Sequence, residues 1–328
     1  MKILIAGGAG YIGSSLVPPL LDRGYKVTVV DLLWFGNQLP KNAQVIQKDV
    51  MALKQEELNG FDQVIFLAGL SNDPMAEFSP SQNFVYNAAA PALLGYLSKK
   101  ARVRRYIYAG SCSVYGYTVN KLYDENSPTS SNYPYGISKL QGEQAVMQME
   151  DELFSVISLR QGTVSGYSPR MRLDLVVNAM FKSAISDQVI TVNNPAIWRP
   201  VLSINDAVKA YIRAIEAQEN ISGIFNIASG NFTVGEIGDF VKRGVEENLG
   251  VAIKLNIKNM NDFRNYKVSY EKAINVLSFK PSQDINSIVK NLELNLEKYR
   301  DFNNSDYYNI QVFKKNNLAK NFTQSKKK

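Results

Sequence analysis

The stretch K-I-L-I-A-G-G-A-G-Y-I-G, residues 2–13, decides how the first half of this chain folds. Its apolar start is typical of a strand buried in a parallel sheet. Gly8, Gly10 and Gly13 match the pattern G-x-G-x-x-G, and a helix is predicted directly afterwards at Tyr11–Arg23. A strand, a tight glycine turn and a helix in this order are typical of the phosphate-binding start of a dinucleotide site.

An acidic residue supports this interpretation. Asp31 lies 21 residues after Gly10, at the end of the second predicted strand. A carboxylate there accepts hydrogen bonds from the adenosine ribose and repels a 2′-phosphate. No Arg or Lys follows before Lys41, so the sequence predicts NAD rather than NADP. The predicted dinucleotide contacts along the first four strands are Gly7, Gly10, Tyr11, Ile12, Gly13, Asp31, Asp49, Val50, Leu67, Ala68 and Gly69.

Short apolar segments alternate with helical segments through the first half of the chain. This alternation predicts a doubly wound parallel sheet with right-handed crossovers. The predicted strands are Lys2–Ala6, Lys26–Val30, Ala43–Gln47, Gln63–Leu67, Arg105–Ala109 and Phe154–Leu159. Further helices are predicted at Ser81–Lys100, where Pro91 introduces a kink, and at Pro134–Met149.

After Gly166 the alternation loosens, which predicts a second, smaller lobe. The predicted elements there are helices at Asp174–Ser186, Asn205–Ala217, Thr233–Glu247, Tyr270–Leu277 and Asp284–Tyr299, and strands at Val189–Val192 and Gly223–Ile227. The predicted fold class is therefore α/β, a Rossmann-type doubly wound parallel sheet with a smaller C-terminal substrate-binding lobe. We place the dinucleotide-binding domain at residues 1–166, with residues 200–230 returning to it. The lobe comprises residues 167–199 and 231–310.

The net charge of +7 is concentrated at the end of the chain. Residues 311–328 contain six lysines and no acidic residue, which leaves the rest of the chain at +1. This distribution does not indicate a nucleic-acid-binding surface. We interpret residues 311–328 as a basic, disordered tail.

Two counts exclude several kinds of chemistry. The chain has no histidine and one cysteine, Cys112. Histidine catalysis, histidine metal sites, cysteine zinc sites and an internal disulfide are therefore excluded, and no metal is predicted. A single cysteine suits a reducing cytoplasm. Because no apolar run reaches about 18 residues, no membrane span is predicted.

Tyr135 and Lys139 are candidates for proton transfer. They are four residues apart in a predicted helix and therefore share a face. A free tyrosine has a pKa near 10, and a nearby ammonium lowers it, so this pair suits a general base. The lysine is also suited to hold the nicotinamide ribose. Ser111 follows the strand at Arg105–Ala109, where it would bind the substrate oxygen and relay the proton.

These motifs together resemble a known family. The glycine turn, Asp31, the segment S-C-S-V-Y-G at residues 111–116 and Y-G-I-S-K at residues 135–139 resemble the extended short-chain dehydrogenases/reductases. Within that family, the resemblance is to the NAD-dependent nucleotide-sugar epimerase/dehydratase group, typified by UDP-galactose 4-epimerase. It extends over about residues 1–300.

The resemblance implies roles for individual residues. Tyr135 would be the base, Lys139 its partner and Ser111 the third catalytic residue. Asn87 would support the cofactor site, which Tyr135 and Lys139 also contact. The residues implied beside the substrate, the last two of them gripping its diphosphate, are Ser113, Asn178, Arg170, Arg172, Arg199 and Arg264.

The chain departs from the family at the positions that define its other activities. The 4,6-dehydratases carry Asp and Glu after the hydroxyl residue, where this chain has Cys112 and Ser113. Without those carboxylates, dehydration and decarboxylation are disfavoured. Cys112 is one position away from the cysteine of the 3,5-epimerases and is interpreted as a packing residue. Gly110 and Thr163 replace residues of the 4-epimerase, so the resemblance does not identify the sugar.

The predicted function is NAD-dependent epimerisation of a nucleotide-diphosphate sugar at C4, through a 4-keto intermediate. A 4-dehydrogenase or 4-ketoreductase is the alternative, because residues 168–174 also resemble those of a GDP-heptose C4-oxidising enzyme. A non-catalytic NAD sensor is a more distant alternative. The resemblance also implies a homodimer formed through the helices predicted at Ser81–Lys100 and Pro134–Met149.

Overall fold

The computed structural model of this chain describes residues 1–259, 264–316 and 318. Its strands are β1 (Lys2–Ala6), β2 (Lys26–Asp31), β3 (Gln44–Gln47), β4 (Gln63–Phe66), β5 (Arg105–Ser111), β6 (Tyr117–Tyr123), β7 (Ser155–Gln161), β8 (Thr163–Ser165), β9 (Val189–Asn193), β10 (Trp198–Ser203), β11 (Gly223–Ile227), β12 (Gly230–Thr233), β13 (Lys254–Lys258) and β14 (Asn265–Val268). Its α-helices are α1 (Gly13–Asp22), α2 (Asp73–Phe78), α3 (Pro80–Phe84), α4 (Ala90–Lys100), α5 (Pro134–Met147), α6 (Val176–Asp187), α7 (Ile204–Glu216), α8 (Val234–Leu249), α9 (Glu271–Leu277), α10 (Ile285–Leu294) and α11 (Asn309–Lys315).

A parallel sheet of seven described strands forms the centre of the molecule, in the order β11-β7-β5-β4-β1-β2-β3. Helices cover both of its faces, and its inner strands carry a buried apolar core: Ile3, Ile5, Ile65 and Ile107 are fully buried. The strand order reverses between β1 and β4, which is where open α/β sheets bind their ligands. The prediction of a Rossmann-type doubly wound sheet is confirmed.

The second core lies outside this sheet. It is formed mainly by α6, α8 and α10, with Phe181, Val241 and Val289 fully or almost fully buried. A capping box begins α8, because the Thr233 side chain accepts from the Glu236 backbone and the Glu236 carboxylate accepts from the Thr233 backbone. Smaller sheets, β12-β10-β8, β13-β9 and β14-β6, surround this core.

The predicted helix at Ser81–Lys100 is interrupted. A π-helical turn at Val85–Ala89 separates α3 from α4. Pro91 explains it, because proline has no N–H to donate to the carbonyl of Asn87 and its ring crowds that carbonyl. The Tyr108 hydroxyl donates to the Asn87 carbonyl instead, at 3.2 Å. The proline therefore alters the preceding turn and thereby places Asn87.

The sequence predicts that the disordered tail starts at residue 311, which is too early. Residues 309–315 form α11, with Val312 and Phe313 each 1% exposed. These apolar side chains give the segment a face that can be buried. A count of the charges in the segment does not reveal this face, because lysines surround it. Residues 317 and 319–328 of the predicted tail lie outside the described residues.

Among the described residues, no helix is both long enough and apolar enough to cross a bilayer.

Candidate active site

One cavity at the carboxyl edge of the sheet includes seven of the eleven dinucleotide contacts predicted along the first four strands; Tyr11, Ile12, Gly13 and Asp49 are not in its lining. It is lined by Gly7, Gly10, Val30, Asp31, Leu32, Trp34, Phe35, Lys48, Val50, Leu67, Ala68, Gly69, Leu70 and Tyr86. Gly7 has a φ of 78°, and a Cβ atom on it would lie 2.4 Å from the backbone nitrogen of Ala68. Only glycine leaves this floor open, so the chain fits a dinucleotide laid across the ends of β1 and β4.

Asp31 lies at the end of β2, where a ribose carboxylate partner is expected. Its Oδ2 accepts from the Ala9 backbone N–H at 3.0 Å, and its Oδ1 accepts from Leu33 at 2.8 Å. Burial raises the pKa of Asp31, and these backbone donors partly offset the rise. The carboxylate therefore fastens the glycine turn to the following loop, besides facing the cavity.

Two predicted cofactor residues also have structural partners. Asp49 accepts from the Met51 backbone N–H at 2.9 Å and from the Tyr86 hydroxyl at 2.8 Å. Asn87 is buried and donates to the Leu70 carbonyl at 2.8 Å. Among the described residues, its Oδ1 has no hydrogen-bond partner. A buried, unpartnered acceptor beside Gly69 fits a ligand that brings a donor.

Tyr11 has a different environment from the one the sequence predicts. Its hydroxyl donates to the Gly166 carbonyl at 2.5 Å and accepts from the Asn178 amide at 3.1 Å. Asn178 is fully buried, accepts from the Gly166 backbone N–H at 2.8 Å and donates to the Arg172 carbonyl at 2.8 Å. These side chains fix the loop of residues 166–174 above α1.

The catalytic candidates converge at the end of β5 and the start of α5. Ser111 is the last residue of β5, and its hydroxyl lies 2.8 Å from that of Ser113. It also lies close enough to Tyr135, in the first turn of α5, to act on the pKa of that phenol. The structure thus brings the predicted hydroxyl relay next to the predicted base.

The pKa of Tyr135 is not lowered as the sequence predicts. Burial raises it to about 12, while the neighbouring Ser111 hydroxyl and the charge of Arg172 act in the lowering direction. Asp73 adds to the rise. In the protein alone, Tyr135 is therefore a protonated phenol, and deprotonation needs added positive charge.

Lys139 is not among the groups that shift the pKa of Tyr135. It is 5% exposed, and burial lowers its pKa to about 7, although Glu143 opposes the shift. Its Nζ lies 4.4 Å from the centroid of the Tyr108 ring. A lysine that is neutral for much of the time stabilises a phenolate weakly, so its predicted effect on Tyr135 requires a change in its surroundings.

A buried ion pair lies one turn further along the same face of α5. Glu143, one turn after Lys139, is 1% exposed and accepts from Arg160 Nη2 at 2.6 Å and from the Ser158 hydroxyl at 2.7 Å. Arg160 also donates to the Tyr115 hydroxyl at 2.8 Å. Charged side chains of α5 and β7 therefore set the register of the catalytic helix against the sheet. The sequence signal for Glu143 as a neighbour of Lys139 is its position four residues later, which places both side chains on one face of α5.

Cys112 has no reactive environment. It is fully buried, and its thiol donates to the Arg160 carbonyl at 3.1 Å. Burial raises its pKa strongly.

Two of the predicted diphosphate-gripping arginines meet on β10 and before β14. Arg199 donates to the Arg264 carbonyl and lies over the Tyr266 ring, 5.8 Å from its centroid. Arg264 pairs with Asp73 at 2.6 Å and lies 5.3 Å from the centroid of the Tyr133 ring. Asp73 and Tyr133 were not predicted from the sequence, although Asp73 immediately follows the Ser71-Asn72 turn after β4.

The other two arginines are more deeply enclosed. Arg172 is 5% exposed, pairs with Asp174 at 2.8 Å and donates to the Ser71 hydroxyl at 2.6 Å. Arg170 is 4% exposed and lies over the Phe35 ring, 3.9 Å from its centroid. The sequence predicts both beside the sugar nucleotide; in the structure Arg170 stacks on Phe35, a residue that lines the cavity.

Comparison with known proteins agrees with this geometry. The sequence profile of the NAD-dependent epimerase/dehydratase family matches residues 3–228. The chain is 27% identical over 316 residues to a UDP-glucose 4-epimerase of Corynebacterium glutamicum, covering 88% of this chain and 94% of that protein. It is also 27% identical to a putative UDP-glucose 4-epimerase of Methanocaldococcus jannaschii, covering 74% and 82%.

Solved structures share the fold. The chain superposes on the UDP-glucose 4-epimerase of Thermotoga maritima, solved with UDP-glucose, with a TM-score of 0.79 at 24% identity, covering 92% of this chain and 99% of that one.

Proposed function

Since this chain belongs to the NAD-dependent epimerase/dehydratase family, we propose that it epimerises a nucleotide-diphosphate sugar at C4 through a 4-keto intermediate. The observation that carries the proposal is the meeting of Ser111, at the end of β5, with Tyr135, in the first turn of α5, at the carboxyl edge of the sheet. The relatives named as UDP-glucose 4-epimerases support the same conclusion.

NAD supplies a reversible hydride acceptor, which interconverts the C4 alcohol and a ketone. The chain supplies the proton transfers. Tyr135 takes the proton of the sugar O4–H through its phenolic oxygen, and Ser111 orients that oxygen. Returning hydride and proton to the other face of the ketone gives the C4 epimer, so the ketone must turn within the site.

Lys139 would regain its charge during this cycle. Hydroxyl groups of a bound ribose would solvate its Nζ and favour the ammonium form. An ammonium on the same face of α5 as Tyr135 would then favour the phenolate. This accounts for an active base despite the pKa of about 12 that Tyr135 has in the protein alone.

Dehydration is disfavoured by the two residues that follow Ser111. Eliminating water from the sugar needs an acid and a base besides Tyr135. The buried Cys112 thiol donates a hydrogen bond to the Arg160 carbonyl, and the Ser113 hydroxyl is hydrogen-bonded to that of Ser111. Neither position offers a carboxylate.

The charged pair Arg264–Asp73 is proposed as the entry point for the diphosphate. Two arginines, Arg199 and Arg264, lie together where the second lobe faces α2 and α5. A diphosphate offers them four or more acceptor oxygens and would replace Asp73 as the partner of Arg264. Arg172 would act nearby, with Ser113 and the loop fixed by Asn178.

We also propose that the two lobes bind different ligands. Residues 1–166 and 200–230 would bind NAD, which is supported by the place of β11 beside β7 in the main sheet. Residues 167–199 and 231–310 would bind the sugar nucleotide. This is supported by the separate core that α6, α8 and α10 build.

A homodimer through α4 and α5 is also proposed. Tyr96 on α4 is 51% exposed, which is unusual for a large aromatic side chain on a helix that packs against α5. Tyr96→Glu should convert a dimer to a monomer in light scattering, and a monomeric wild-type protein would exclude this assembly. A cytoplasmic location is proposed because Cys112 is a free thiol.

Incubation with NAD and a panel of UDP-, GDP- and dTDP-hexoses tests the activity. Formation of a C4 epimer without net NADH supports the proposal. Stoichiometric NADH would identify a 4-dehydrogenase instead, and tight NAD binding with no turnover of any sugar would identify a sensor.

A further inference from the structure

The C-terminal helix α11 lies beyond the residues that match the family, yet it packs against the dinucleotide cavity. Phe313 is 1% exposed, and its ring meets the Trp34 ring edge-on with centroids 4.9 Å apart. The Phe35 ring lies 6.3 Å from it. Trp34 and Phe35 line the cavity three and four residues after Asp31, so Phe313 supports the wall at its adenosine end.

A second contact joins α11 to the loop above α1. Arg170 Nη2 donates to Asn309 Oδ1 at 2.5 Å, and Asn309 Nδ2 donates to the Ser71 hydroxyl at 3.3 Å. Asn309 is 6% exposed. One amide side chain of α11 therefore connects the loop after β4 with the guanidinium that stacks on Phe35.

Arg170 has capacity for an anion. Among the described residues, no group accepts from its Nε, which is buried. Burial lowers the pKa of Arg170 to about 9, and the neighbouring charge of Arg172 acts in the same direction, against Asp174 and Asp31. Its backbone N–H donates to the Ser14 hydroxyl in the first turn of α1, at 3.2 Å. This bond holds the Arg170 backbone at the amino end of α1, where a dinucleotide phosphate is expected to bind.

We propose that Asn309 and Phe313 are positioning residues for NAD. Phe313 holds Trp34 and Phe35 at the adenosine end of the dinucleotide, and Asn309 holds the Arg170 guanidinium at its diphosphate. This assigns Arg170 to the cofactor instead of the sugar nucleotide. NAD then dissociates only when α11 releases these contacts. The inference goes beyond the proposed epimerase activity and does not depend on which sugar is bound.

The test measures dissociation of NADH from the full chain by its fluorescence, with ADP-ribose as the displacing ligand. Asn309→Leu removes the acceptor for Arg170, and Asn309→Asp keeps it. We expect Asn309→Leu to raise the dissociation rate about tenfold or more, and Asn309→Asp to restore the wild-type rate. Phe313→Leu should raise it about as much.

The control is Lys315→Ala, on the same helix but at an exposed position that pairs with Asp306. It should leave the rate unchanged. The melting temperature of the dinucleotide-free protein reports any effect on folding: Asn309→Leu should melt below Asn309→Asp, because it leaves the buried Arg170 guanidinium without its acceptor. NADH release is therefore compared well below both melting temperatures, where both variants are folded. Equal release rates for these two variants would overturn the proposal, as would an equal effect of Lys315→Ala. Failure of the wild-type chain to bind NADH would overturn both this inference and the proposed function.

Discussion

The buried lysine of the active site makes a prediction that needs no substrate. Lys139 is 5% exposed and its pKa is lowered from 10.5 to about 7. Between these values the unfolded chain carries a proton that the folded chain largely lacks. The cost to stability is therefore fully present below pH 7 and disappears as the pH rises toward 10.5. Stability should rise with pH across this window.

The magnitude follows from the size of the shift. Each unit of pKa difference corresponds to 1.36 kcal/mol. Raising the pH from 7 to 9 should increase the free energy of unfolding of the dinucleotide-free protein by about 2 kcal/mol through Lys139 alone. In Lys139→Met this contribution is absent. The matched control is Lys290→Met, at an exposed position on α10, which should keep the wild-type slope.

Urea unfolding at pH 7, 8 and 9 measures the effect as the difference between variants, so that groups titrating in all of them cancel. Saturating NAD should reduce the pH dependence of wild-type stability toward that of Lys139→Met. The ribose hydroxyl groups would solvate the Lys139 ammonium, so its pKa would no longer be lowered. Parallel wild-type and Lys139→Met slopes without NAD would refute the argument. An unchanged wild-type slope with NAD would refute the proposed recharging of Lys139.

Three further substitutions test the site. Tyr135→Phe should lower kcat by about 10²–10⁴-fold with NAD still bound, measured by epimer formation and by NAD content after gel filtration; a near-normal rate would remove Tyr135 from the mechanism. Asp31→Ala should weaken NAD binding about tenfold or more and reduce the preference for NAD over NADP, measured by calorimetry, whereas unchanged constants would contradict its place beside the ribose. Glu143→Gln should destabilise the protein by about 3–5 kcal/mol in urea unfolding, because it leaves Arg160 as an uncompensated buried charge; a loss below about 1 kcal/mol would show that the pair is not buried as described.

The sheet was predictable because its signals are local. The run at residues 2–13 and the acid at Asp31 each report the end of a strand and its turn, and the strand order follows from right-handed crossovers. The meeting of Ser111 and Tyr135 was likewise implied, because one residue follows a strand and the other begins a helix at the same edge of the sheet.

What the sequence could not give depends on contacts between distant segments. The pairing of Tyr135 with Lys139 predicted a lowered phenol pKa, but burial of both groups is a tertiary property and reversed the expectation. The role of α11 was hidden because most of it falls within residues 311–328, a segment with six lysines and no acidic residue, while its buried aromatic residue, Phe313, meets Trp34 from the other end of the chain.

The central claim is that hydride leaves the sugar at C4 and returns to C4. Isotope labelling tests this claim most directly. A nucleotide-diphosphate hexose carrying deuterium at C4 is incubated with the enzyme and NAD, and the product is analysed by mass spectrometry and NMR. We predict the C4 epimer with deuterium retained at C4 and no net NADH. Loss of the deuterium to solvent, or a product altered at C5 or C6 with C4 unchanged, would contradict the account.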